Sequence, residues 1–121
     1  MTVIYTEPQR FSNVVKYEQG GQDFFSRDTA TAEGAVALGD VVMVGTDPAT
    51  QVKLAEAAST AVGVCIKTAA DGEPTVLLVR NSVVANQGLN YGAGTEADLI
   101  ADLKALGVLV RESQADWTFD V

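Results

Sequence analysis

The stretch Gly34-Ala-Val-Ala-Leu-Gly-Asp-Val-Val-Met-Val-Gly45 constrains the fold more than any other part of the chain. Val41 to Val44 form an unbroken apolar run with three β-branched members, preceded by Gly39-Asp40 and closed by Gly45. A run this short, with glycine on both sides, cannot make a helix of ordinary length and predicts a buried strand entered through a tight turn. It contains no group able to do chemistry, so it speaks to the fold alone.

The flanking sequence extends the same reading. Thr46-Asp47-Pro48-Ala49-Thr50 is turn chemistry, with proline fixing φ and Asp47 able to accept a local backbone bond. Gln51-Val52-Lys53-Leu54 alternates, and is expected to return along Val41 to Val44 as a hairpin before the small, loop-like Ala55 to Ser59. In Ala61 to Thr68, alternation puts Val62, Val64 and Ile66 on one face and Gly63, Cys65 and Lys67 on the other. Gly63 there permits close approach of another backbone. Thr75 to Ala85 is the longest apolar-rich stretch, and its polar Arg80-Asn81-Ser82 fits either one bent strand or two strands sharing a corner. Upstream, Phe24 to Thr31 predicts a strand leading into a turn at Glu33-Gly34.

One segment is helical by pattern. Thr95 offers an N-cap hydroxyl, Glu96 and Asp98 suit the positive end of the helix dipole, and Gly107 follows as a stop. Leu99, Leu103 and Leu106 share a face that is expected to lie over a sheet. Val108-Leu109-Val110 resumes strand character, and Trp117 with Phe119 is expected to cover a sheet edge or a subunit contact. The expected fold class is therefore mainly β, with one helix near the C-terminus.

Composition narrows the function. A chain of 121 residues with 47% hydrophobic and 7% aromatic residues predicts one domain whose core is built from small branched side chains. The formal charge is −8 and no window concentrates Lys or Arg, which argues against nucleic acid or an anionic membrane as partner. Apolar runs are short and the N-terminus lacks a signal-peptide pattern, so a soluble protein that stays where it is made is expected. There is no histidine, which removes Ser-His-Asp, Cys-His and His-ligated metal sites. Cys65, the single cysteine, is expected to be a buried, inert thiol.

Other candidates for chemistry are weak. Gly88 to Gly94 lacks a dinucleotide or P-loop register, although Gly92-Ala93-Gly94 ahead of a helix could present N–H groups to an anion. Asp71 with Glu73, and Asp98 with Asp102, are carboxylate pairs on a chain with sixteen acidic residues, where a solvated face is the ordinary use. Asp40 reads as a turn residue. No enzyme activity, cofactor or metal is expected.

Residues 1–22 are polar and turn-rich, with apolar Phe11, Val14, Val15 and Tyr17 interleaved and Gly20-Gly21 as a hinge. Two arrangements fit: a loose arm ordered by a partner, or an edge strand pairing within its own domain. The first divides the chain into a flexible arm over 1–22 and a single mainly-β domain over 23–121.

From Ser26 to Glu112 the order of segments resembles the phage head decoration protein family, the capsid-cementing proteins typified by lambda-like protein D. The resemblance is carried by Ser26-Arg27-Asp28 before a Thr/Ala strand, Gly34 to Gly39-Asp40-Val41-Val42, and Ala61-Val62-Gly63-Val64. It continues through Val76 to Asn86 and the late helix running into Ala105-Leu106-Gly107-Val108-Leu109-Val110-Arg111. The resemblance implies a small β-clip or barrel-like domain that assembles as a homotrimer on the outside of an expanded capsid, at three-fold or quasi-three-fold positions. The implied partners are the major capsid protein and the chain itself, with the virion surface as location and no enzymatic role. Phe11, Val14, Val15 and Tyr17 are then the expected capsid contacts, and removal of 1–22 is expected to leave a folded trimer that no longer binds capsids. The alternative is a β-domain that binds a small molecule or carbohydrate through the Gly88 to Gly94 loop and exposed carboxylates.

Overall fold

The computed structural model describes residues 14–18 and 26–111. They are mainly β, with eight strands: β1 (Val15–Glu18), β2 (Arg27–Ala32), β3 (Val41–Val44), β4 (Gln51–Leu54), β5 (Gly63–Cys65), β6 (Pro74–Leu78), β7 (Ser82–Ala85) and β8 (Val108–Arg111). One helix, α1 (Glu96–Leu106), lies between β7 and β8, and one turn of 3-10 helix spans Asn86–Gly88.

Five strands close into a barrel in the order β2-β4-β3-β5-β6, with β6 returning to β2 over five residue pairs. The β3–β4 hairpin forms as expected, pairing Val42 with Leu54, Met43 with Lys53 and Val44 with Val52. Alternation then sorts the side chains. Val42, Val52, Cys65 and Leu77 join Ala32, Val36 and Ala69 in one buried cluster, whereas the adjacent Val41, Val64 and Leu78 belong to another. A five-stranded barrel is narrower than the eight-stranded barrels whose interiors side chains just fill, so its bore takes alanine, valine, cysteine and a single leucine rather than aromatics. This gives the small-residue composition its structural use.

The remaining strands form a separate sheet in the order β1-β7-β8, with β1 antiparallel and β8 parallel to β7. A parallel pair needs a long crossover, and α1 supplies it. Val84 and Val108 of this sheet, Val14 and Val15 beside them, and Leu99 and Leu103 of α1 pack on the outward Val41, Val64 and Leu78 of the barrel. The second core thus lies between barrel and sheet.

One open expectation is resolved and two need adjustment. Thr75 to Ala85 is two strands in two sheets, β6 and β7, and the corner between them holds Asn81 at φ 43, a conformation asparagine tolerates better than most residues. Thr95 takes the N-cap position in extended geometry, but its hydroxyl makes no cap bond; its carbonyl accepts from Leu99. Leu99 and Leu103 are buried, yet Leu106 is 40% exposed, because as the last helical residue it projects past the packed face. Gly107 ends the helix at φ 99, its N–H shared between the Leu103 and Lys104 carbonyls. The close approach expected at Gly63 is present, since a Cβ there would sit 2.8 Å from the Leu78 carbonyl oxygen.

Ser26-Arg27-Asp28 fastens the barrel to the sheet. Buried Ser26 donates its hydroxyl to the Asn81 carbonyl at 3.0 Å, and Asp28 pairs with Arg80 at 3.0 Å. Between them Arg27 grips Glu18 with two parallel bonds of 2.9 and 2.5 Å. That two-point hydrogen bond with Glu18 raises the Arg27 pKa above its ordinary value, so the guanidinium stays charged throughout the accessible range.

Candidate functional site

The outer face of the three-stranded sheet carries a row of partly exposed apolar side chains. Tyr17 pairs with Val83, and Val83 with Leu109, so the row crosses all three strands. Tyr17 is 57% exposed and Leu109 37%. Strand periodicity alone would put Val15 and Tyr17 on the same face, but the register shifts between them, and the extra residue turns Val15 into the core and Tyr17 outward.

Two hollows flank Leu109. A cavity of about 310 Å³ lies toward β1, lined by Tyr17, Asn81, Ser82, Val83, Gly107 and Leu109. A groove of about 350 Å³ lies on the other side, between β8 and α1, lined by Ile100, Lys104, Leu109, Val110 and Arg111. The pairings Val15 with Val84 and Arg111 with Ala85 also bring the start of β1 and the end of β8 to the same end of β7. The chain enters and leaves this sheet side by side.

The four expected contact residues separate. Phe11 lies outside the described residues. Val14 and Val15 are 0% and 8% exposed and pack in the core beneath the sheet, so their apolar surface serves this chain's own interior. Tyr17 alone of the described three faces outward. The segment Val14 to Glu18 is thereby part of the folded body through β1, one of the two arrangements the sequence left open, and the rest of 1–22 lies outside the described residues apart from these positions. Deleting 1–22 would remove a core strand, and the informative truncation stops short of Val14. Sequence reasoning missed Val83 and Leu109; the alternation in Val108-Leu109-Val110 signalled that one of these residues must face away from the core.

The other sequence candidates have structural employment. In the glycine-rich loop the Gly92 N–H donates to Asn90 Oδ1, the Ala93 N–H to the Ala55 carbonyl and the Gly94 N–H to the Tyr91 carbonyl, so these three donors serve the loop itself. Asp71 accepts from the Gly34 N–H, Glu73 from Ala70 and Asp102 from Ala61. Asp40 is buried and accepts from the Ala37 N–H within its own turn. Cys65 is fully buried, and that burial pushes its thiol pKa up, against the smaller opposing effects of hydrogen bonds with the Thr75 side chain and the Lys67 backbone. A protonated, enclosed thiol is a poor nucleophile. No group of three or more potential metal ligands occurs among the described residues.

No family model matches the sequence, and comparison with curated proteins gives no match.

Proposed function

We propose that this chain is a structural decoration protein of a phage head, binding the outside of an expanded capsid as a homotrimer and stabilising the shell without enzymatic activity. The observation that carries the reading is the convergence of the first and last described strands at one end of β7, beside the open row of Tyr17, Val83 and Leu109. That arrangement lets residues 1–13 and the outward side of β1 address one partner surface, in keeping with the resemblance in segment order.

The mechanism is mechanical. Contacts that form only on the expanded shell favour that shell, as any ligand favours the state it binds. An N-terminal segment can add a strand to an exposed edge of the capsid protein, and trimerisation multiplies modest contacts through effective concentration. Phe11 and Tyr17 are the capsid contacts in this reading.

Light scattering on the purified protein is expected to give three times the 12.7 kDa chain mass, and a monomer at all concentrations rejects the trimer. Removing residues 2–12 is expected to leave the melting temperature unchanged and abolish co-sedimentation with expanded, undecorated capsids. Normal decoration by this truncated protein rejects the assigned arm.

A further inference from the structure

The edge of β8 that faces away from β7 pairs with no other described strand, and beside it runs the groove between β8 and α1. An open edge with an apolar flank is a template for a further strand. We propose that its occupant is the chain's own C-terminal segment, with residues 116–121 pairing antiparallel to β8 and seating Trp117 and Phe119 against Ile100 and Val110.

Five observations favour this occupant over another molecule. Residues 112–121 follow directly from Arg111, at one end of the groove, and lie outside the described residues. The four residues 112–115 suffice for a hairpin loop, a common length between antiparallel strands, and they set Trp117 opposite Val110 and Phe119 opposite Val108, the two β8 residues turned toward α1. Trp117-Thr-Phe-Asp-Val121 alternates apolar and polar residues with aromatic and β-branched members, the signature of a half-buried strand. Its apolar side would extend the α1-covered face by one strand, where the half-buried Ile100 and Val110 mark the present limit of the core. Charge agrees as well. Lys104 and Arg111 line the groove without an ion-pair partner among the described residues, and the segment brings Glu112, Asp116 and Asp120.

Trp117 is the only tryptophan, so fluorescence of the unmodified full chain reports this segment alone. The expected emission is blue-shifted and resistant to acrylamide. In the surface variant Lys104→Glu with Arg111→Glu, and separately in Ile100→Ser, emission is expected to move toward that of tryptophan in water while far-UV circular dichroism stays native. Solvent-like emission in the unsubstituted protein overturns the proposal, as does a blue shift indifferent to the groove substitutions. A second measurement does not depend on those variants. Ile100→Cys with Phe119→Cys, oxidised mildly, is expected to give an internally bridged single chain on a non-reducing gel. A ladder of covalent oligomers would show that a second copy fills the groove and would overturn the assignment, and so would failure to bridge.

Discussion

Around the barrel every strand has two neighbours, whereas in the sheet only β7 does, and the outer edges of β1 and β8 meet no other described strand. The barrel therefore satisfies its ladder internally and encloses a bore of small residues. The sheet buries one face with help from α1 and leaves the other to Tyr17, Val83 and Leu109. One region is built to be closed and the other to be joined, and the two are held together by Ser26, Arg27 and Asp28.

The difference is testable by where substitutions hurt. Leu78, fully buried between barrel and sheet, is expected to cost about 2–5 kcal/mol when cut to alanine. Leu109→Ser, on the open face, should stay within about 0.5 kcal/mol in the same urea titration. Equal losses would erase the distinction. Thr75→Val removes a hydroxyl that donates to the Lys67 carbonyl at 2.6 Å inside the barrel, and is expected to cost about 1–2 kcal/mol, read as a lower urea midpoint with unchanged slope. Ser82→Ala should be neutral or slightly stabilising, because the buried Ser82 Oγ finds no partner among the described residues. A clear loss of stability in that variant would reveal a bond to a residue outside them.

The smallest effect concerns the barrel rim. Glu33 accepts from the Thr46 hydroxyl and N–H, tying the end of β2 to the β3–β4 turn. The Thr46 hydroxyl bond, followed by the Thr46 N–H and Lys53, holds the Glu33 pKa below its ordinary value against a smaller opposing desolvation. The folded carboxyl is thus the stronger acid. Its contribution is present above the unfolded glutamate value and is lost as pH falls through the lower folded value. Glu33→Gln should accordingly flatten the acid limb of a stability-against-pH curve and leave its neutral plateau nearly level. An unchanged acid limb would remove Glu33 from the rim.

How much of this was legible beforehand follows the sequence separation of the contacts. The β3–β4 hairpin was readable because Thr46-Asp47-Pro48 encodes its own turn and the strands alternate on either side. The stop at Gly107 was equally local, requiring only a residue comfortable at positive φ. The order of strands around the barrel was not readable. It depends on β2 pairing with both β4 and β6, and nothing in Arg27 to Ala32 names those partners. The outward turn of Tyr17 was hidden for another reason: a register shift opposite a strand some 66 positions away has no local signal, so Val14, Val15 and Tyr17 read as equivalent when only Tyr17 is open. The Thr95 hydroxyl had the right residue type for a cap, but its identity could not fix its rotamer.

The side-by-side exit of β1 and β8 has a consequence for topology. Val15 and Arg111 are separated across the sheet by β7 alone, a span of roughly 10 Å at the usual strand spacing, which the chain beyond them can bridge many times over. The chain before Val15 could therefore be joined to the chain after Arg111 and new ends cut between Ala57 and Ala58, in an exposed loop where Ala58 is held at the unfavourable φ of 57. Such a circular permutant would keep every strand intact, release that local strain, and carry its new termini on a face remote in sequence from the old ones.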